Sequence, residues 1–143
     1  RPETRETIAR ALAKLGTERA LVVHSRDGLG EISISDTTDV SEVRKTFVTE
    51  GTLTPADFNL EPCSMMMIKA GDPKESAEII KRVLAGHGGA ARGIVVANAA
   101  AALWISGLCD NLEIGVERCS TAIDNGQASE MLKDLVDMTQ KGR

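Results

Sequence analysis

Apolar residues fall at helical spacing in the first segment, where Ile8, Ala11, Leu12 and Leu15 share one face and Gly16 is placed to end the run. The pattern predicts a helix over 3–15, buried along that stripe. Residues 20–24 (ALVVH) are apolar without alternation, as in a strand of a parallel sheet covered on both faces. Residues 31–35 (EISIS) do alternate and predict a half-buried strand. Two more short strands, 38–43 and 46–53, are separated by Arg44-Lys45 and bent at Gly51. They predict a small antiparallel ribbon.

The second half reads differently. Thr54-Pro55-Ala56-Asp57 opens a helical turn with a Thr cap, Pro at the first position and an acid at the third. Residues 60–71 form a loop whose Met65-Met66-Met67 run is expected to fill a gap beneath it, rather than line a plastic binding surface. Asp72-Pro73-Lys74-Glu75 starts a helix that buries Ala77, Ile80, Val83 and Leu84 and stops at Gly86. A helix over 91–106 is apolar nearly all round and should be central, with Ala99–Ala102 admitting close neighbours and Asn98 needing a polar partner. Asp110 with Glu113 caps a further helix that buries Leu112, Val116, Cys119 and Ile123 and ends at Asn125-Gly126. A last helix, 127–139, buries Met131, Leu132, Leu135 and Met138.

A covered strand that follows a helix ordinarily continues an earlier strand–helix–strand unit. No strand precedes 20–24 in this chain. Either that strand pairs unusually or the sheet's other strands lie upstream. The expected fold class is α/β: a partial mixed sheet with a small antiparallel ribbon, flanked by a C-terminal set of helices.

Composition narrows the function. The 143 residues fit one domain, and 42% hydrophobic content supports a core of Leu, Ile, Val, Ala and Met. One Trp, two Phe and no Tyr leave little for stacking on bases, and a net charge of −4 with mixed signs argues against nucleic acid and anionic membranes. A small phosphorylated ligand needs only a local site and stays open. Cys63, Cys109 and Cys119 are odd in number and widely spaced, as partly buried small hydrophobes in a reducing cytosol would be. The apolar run over 94–105 is too short for a membrane span, and no signal peptide is visible. The chain opens on Arg1-Pro2 without an initiator Met, as a processed chain or a piece of a longer one would.

Candidate chemistry centres on Asp27-Gly28-Leu29-Gly30-Glu31. Asp-Gly is a common turn dipeptide. The same loop also lies at the carboxyl end of a strand, where α/β sheets place ligands, and carboxylates there suit Mg²⁺. His24 ends the strand beside it and is expected to be satisfied by backbone. Gly86-His87-Gly88-Gly89 is similar to a phosphate cradle but follows no strand and lacks the Lys-Ser/Thr of a P-loop, so it reads as a helix–helix connection with His87 exposed.

The blocks ERALVVHSRDGLGEISIS, LTPADFNL, GDPKESAEIIKRVLAG, NAAAALWISG and AIDNGQA, in this order and spacing, resemble the C-terminal part of the anthranilate phosphoribosyltransferase family over nearly the whole chain. The resemblance implies a nucleoside phosphorylase/phosphoribosyltransferase-like α/β domain. It implies transfer of phosphoribosyl from PRPP to the amine of anthranilate in tryptophan biosynthesis, assisted by Mg²⁺, in a cytoplasmic homodimer. The family's second metal pair, adjacent Asp-Glu, is matched here only by Glu31: Gly30 stands at the position of the usual Asp, and Asp27 is a possible substitute. The family's Gly-rich PRPP loop and its anthranilate-binding Arg have no counterpart. Residues 1–143 are thus expected to be a C-terminal segment of the α/β domain, with the N-terminal helical domain and the first part of the α/β domain absent, and inactive alone. The alternatives are a degenerate or split segment serving as scaffold or partner subunit, and a pyrimidine nucleoside phosphorylase relative.

Overall fold

The computed structural model describes residues 2–140, with side chains from Thr4 onward. Helix α1 (Pro2–Lys14) leads into β1 (Arg19–Ser25), and β2 (Thr38–Arg44) and β3 (Phe47–Leu53) form a hairpin beside it. Two 3₁₀ turns, Pro55–Phe58 and Met65–Met67, precede α2 (Pro73–Leu84), α3 (Ala90–Ile105), α4 (Leu112–Asp124) and α5 (Gln127–Gln140).

The α/β fold class holds, and the sheet order is β1-β2-β3 with both pairings antiparallel. Strand β1, read as part of a parallel sheet, instead joins the ribbon as its first strand, Leu21 facing Glu42 and Val23 facing Val40. No described strand lies on its other side. Gly51 sits in register opposite Val40 and does not bend β3.

Alternation assigns the two faces of the sheet. Arg5 of α1 donates to Ser41 and Glu50, so the face that carries Val22, Ser41 and Glu50 meets α1. Arg19 donates to the Trp104 carbonyl at 3.1 Å and lies 5.5 Å from the Trp104 ring, so the opposite face meets α3. The Arg5 grip also rotates α1 away from its expected stripe. Ala9, one turn on, is wholly buried, whereas Ile8 is half exposed and Leu15 is 81% exposed.

Residues 31–35 are not a strand. Ile32, Ser33 and Ile34 are buried in an irregular loop whose backbone groups bond to side chains and to one distant amide. The Ile32 amide donates to Asn98 Oδ1, the Ser33 amide to Thr38 Oγ1, and the Ile34 carbonyl accepts from the Cys63 amide. With those groups satisfied, no neighbouring strand is required.

Helix α3 is central as expected. Val96, Ala97, Ala100 and Ala101 are buried with Ile32, Ile34, Phe58, Val83, Cys119 and Ile123. Its small residues admit α4 closely: a Cβ on Gly115 would lie 3.0 Å from the Ala100 carbonyl oxygen. The α4 cap is Asn111, whose Oδ1 accepts from the Ile114 amide at 2.9 Å, one residue beyond the expected Asp110. Asp72 caps α2 through the Glu75 amide, and Gly86 at φ +86° closes it with Gly86 N–H to Val83 O and His87 N–H to Arg82 O. On that helix only Val83 of the expected stripe is fully buried; Ala77 and Ile80 face out, and Ile79 packs inward instead. Helix α5 departs furthest. It touches the core through Ala128, and Met131, Leu132, Leu135 and Met138, expected inside, are all exposed.

Candidate functional site

Strand β1 delivers its last residue, Ser25, into a loop that runs to Thr37 and returns as β2. The Arg26 amide donates to the Thr37 carbonyl at 3.0 Å, extending the ladder by one pair past the strand end. The Ser25 amide then donates to the Leu29 carbonyl and the Gly28 amide to the Ser25 carbonyl, closing a tight turn in which Gly28 takes φ +97°.

Asp27 turns inward across this loop. Its Oδ1 accepts from the Leu29 amide at 3.2 Å, and its Oδ2 accepts from the Ser33 hydroxyl at 2.5 Å and from the Ser35 hydroxyl. Burial pushes this carboxyl up, but hydrogen bonds from Ser33, Ser35, Ser25 and the Leu29 amide outweigh it and bring it to about 2. Both oxygens are therefore spent on holding the loop. A second brace lies outside it: Arg26 donates to Asp39 through Nε at 3.2 Å and Nη2 at 2.9 Å, and the Asp39 carboxyl is held below its ordinary value by that hydrogen bond. The far end is clamped by Asn98 on α3, which also donates to the Ile32 carbonyl at 2.8 Å and the Ile94 carbonyl at 2.9 Å.

What the braced loop presents outward is Gly28, Gly30 and Glu31, all exposed. No described residue bonds to the Glu31 carboxylate. A Cβ on Gly30 would meet nothing within 4 Å, and Gly30 lies outside the left-handed region. Among the described residues no group of three or more His, Cys, Asp and Glu side chains could hold a metal ion. Glu31 is an outward carboxylate with no second acid beside it among the described residues, and both Asp27 oxygens accept hydrogen bonds from within the loop.

The other candidates separate. His24 sits on the α1-facing side of the sheet, opposite Asp39. His87 is exposed, its Nδ1 3.0 Å from the Arg82 carbonyl, on the connection between α2 and α3 as read from sequence. That connection borders a cavity of about 310 Å³ whose polar lining is Lys69, Glu75, Arg82 and His87. Met67 lines the same cavity and, with Met66, is exposed, so the Met run does not fill a gap. Cys109 and Cys119 are buried and Cys63 partly so; burial pushes the Cys119 thiol up.

Sequence reading missed the Ser33, Ser35 and Thr38 hydroxyls that wire the loop. The signal was present as Ser at alternate positions. Such short hydroxyl side chains offer the backbone an alternative to a sheet ladder.

Residues 1–129 match the glycosyl transferase family, a/b domain. The chain belongs to this family. It is 43% identical over 136 residues to the anthranilate phosphoribosyltransferase of Haloarcula marismortui, covering 94% of this chain and 41% of that protein. The Rhodopirellula baltica protein of the same name is likewise 43% identical over 136 residues, covering 95% and 40%. The chain spans about 40% of the length of the curated relatives it matches. Among solved structures, the Thermus thermophilus anthranilate phosphoribosyltransferase superposes with a TM-score of 0.86 at 30% identity over 96% of this chain and 40% of that one. The Saccharomyces cerevisiae enzyme in complex with PRPP and Mg gives 0.88 at 24% identity over 99% and 41%, a likeness of fold. No described helix is long and apolar enough to cross a membrane.

Proposed function

We propose that this chain is the C-terminal part of the α/β domain of an anthranilate phosphoribosyltransferase. The observation that carries the reading is the 43% identity, over 94% of the chain, to a protein of that name in this family. The reaction joins the anthranilate amine nitrogen to C1 of the ribosyl group as the C1–O bond to pyrophosphate breaks, and the amine loses a proton. Such a transfer depends on positioning and on stabilising a departing anion, not on a covalent nucleophile. Within these residues the braced loop 26–37 supplies a rigid edge at the carboxyl end of β1, and Glu31 is the carboxylate we assign to contact Mg²⁺ carried by the phosphoribosyl donor. Because Glu31 stands alone, no step is assigned to that ion.

One observation favours a second reading, a non-catalytic scaffold or partner subunit: Gly30 stands where an acid would neighbour Glu31, and the Asp27 carboxylate is engaged by the Ser33 and Ser35 hydroxyls. The two separate in one assay. The stretch of the Haloarcula marismortui relative that precedes its match is joined to Arg1, and PRPP-dependent loss of anthranilate fluorescence is followed. Turnover supports the transferase. A folded, PRPP-binding chimera without turnover supports the scaffold. Phosphorolysis of thymidine in place of either would point to a nucleoside phosphorylase. The 143-residue chain alone is expected to show no turnover.

A further inference from the structure

The guanidinium of Arg82 has no hydrogen-bond or ion-pair partner among the described residues, whereas every other described arginine has one. Arg82 lies on the last turn of α2 and lines the cavity of about 310 Å³ bounded by α2, the loop ahead of it and the start of α3. Lys69, from that loop, lines the same cavity and is also unpaired among the described residues. Two cations on one cavity wall, neither with a counter-charge, favour an anion between them. Glu75, the acid on the lining, is engaged elsewhere: its Oε2 accepts from the Gly71 amide at 2.6 Å.

His87 is fixed beside Arg82. Its backbone amide donates to the Arg82 carbonyl at 3.0 Å, and its Nδ1 lies 3.0 Å from the same oxygen. A carbonyl only accepts, so Nδ1 carries the hydrogen and Nε2 is the ring nitrogen left for a ligand. The other walls are of two kinds. Gly88 and Gly89 bare the chain there, so a ligand atom can approach the backbone without meeting a Cβ. Met67, Ile79 and Val83 form an apolar side. Val83 is 4% exposed and Ile79 packs against the core, which anchors that side. A charged side and an apolar side in this volume suit a small molecule larger than a bare ion.

We propose that this cavity binds a small phosphomonoester, its phosphate oxygens taken by Arg82 and Lys69 and its apolar body laid on Met67, Ile79 and Val83. A phosphate dianion answers both cations and offers the Arg82 fork a bidentate partner, where a carboxylate brings a single charge. When the phosphate carries a proton, His87 Nε2 accepts it in a hydrogen bond. None of these residues belongs to loop 26–37, so the proposal does not rest on the transferase reading.

Phenyl phosphate, inorganic phosphate and benzoate are the probes, titrated at constant ionic strength into the 143-residue chain with backbone amide NMR shifts as the readout. Phenyl phosphate should shift the amides of Lys69 and residues 88–91 saturably. It should bind about tenfold or more tighter than inorganic phosphate, which lacks the body, and than benzoate, which lacks the second charge. Arg82→Gln and Lys69→Gln should each weaken it about tenfold. Both side chains are exposed and unpaired, so both variants should keep the native spectrum away from the cavity. Lys133→Gln on α5 removes the same charge outside the cavity lining and should weaken binding by less than about twofold. No saturation below about 20 mM phenyl phosphate would overturn the proposal. So would inorganic phosphate or benzoate binding as tightly, or equal losses in Lys133→Gln and Arg82→Gln. Loss of binding in the folded chimera would overturn it too, since the relative's stretch would then fill the cavity. Binding kept in a chimera that lacks turnover leaves this site standing while the transferase reading fails.

Discussion

Asn98 on α3 and Ile32 in the loop behind β1 exchange two hydrogen bonds, side-chain amide to backbone amide and carbonyl, across 66 residues of sequence. The pair does for the loop what a neighbouring strand would have done, satisfying both polar groups of a residue that is only 2% exposed. Asn98→Ala leaves them without partners and should cost about 2–4 kcal/mol. Asn98→Asp keeps an acceptor for the Ile32 amide but sets a carboxylate against two carbonyls, and should be no milder. Urea unfolding checks both. A loss below about 0.5 kcal/mol for Asn98→Ala would mean that water replaces the clamp.

Asp27 predicts an acid limb in the stability profile. Its folded carboxyl sits near 2, below the ordinary value of 3.8, so its stabilisation is complete above about pH 4 and is lost as the pH falls toward 2. With allowance for partial exposure this contributes about 1–2 kcal/mol. Denaturation between pH 2 and 6 should show the limb in the native chain. It should be flattened in Asp27→Asn, which is less stable at neutral pH because Ser33 and Ser35 lose a charged acceptor.

Glycines at two positions should respond oppositely to the same methyl group. Gly115→Ala drives a Cβ to 3.0–3.1 Å from three atoms of Ala100, including its backbone, at the closest approach of α3 and α4. The expected cost is about 1–3 kcal/mol. Gly30→Ala meets open space outside the left-handed region and should be neutral or slightly stabilising. Paired melting curves decide this; equal losses would contradict the packing described.

Elements whose causes are local were legible in the sequence. The Asp72-Pro73 start, the Gly86 stop, the Thr54–Asp57 turn and the 38–53 hairpin each depend on neighbours within a few residues, and each is found. The run EISIS was misread because its partners are Asn98 and Cys63, supplied by distant parts of the chain, and the Ser side chains that complete it mimic the polar half of a strand. The stripes on α1 and α5 were misread for another reason. Periodicity says that a face is apolar, not that anything covers it. The inward turn of Asp27 was illegible because its hydroxyl donors, Ser33 and Ser35, reach it only after the loop folds back on itself.

The α5 stripe gives its own prediction. Met131 and Leu135 are 69% and 56% exposed, so replacing both with Lys removes little packing from the described body. Stability should change by less than about 0.5 kcal/mol, while self-association at high concentration falls, since contiguous exposed apolar side chains favour sticking. Sedimentation velocity and a melting curve on Met131→Lys/Leu135→Lys check both halves. A large loss of stability would mean that α5 folds back onto the core, contrary to the exposure seen.

Gly30 and Glu31 lead to the remaining prediction, on metal binding. Gly30→Asp places a second carboxylate beside Glu31 on the exposed rim, where an added Cβ has no atom within 4 Å, those of the Asp27–Ser33–Ser35 brace included. Two adjacent carboxylates plus water are a sufficient start for a hard divalent cation. Mn²⁺, used as a paramagnetic stand-in for Mg²⁺, should broaden the amides of residues 29–32 at concentrations on the order of tenfold lower in Gly30→Asp than in the native chain. Adding Glu31→Gln to Gly30→Asp should reverse the gain, which ties it to the pair and not to net charge. Equal broadening in the native chain and Gly30→Asp would show that Glu31 already suffices as the contact, and would remove the main reason for reading this loop as a catalytically degenerate one.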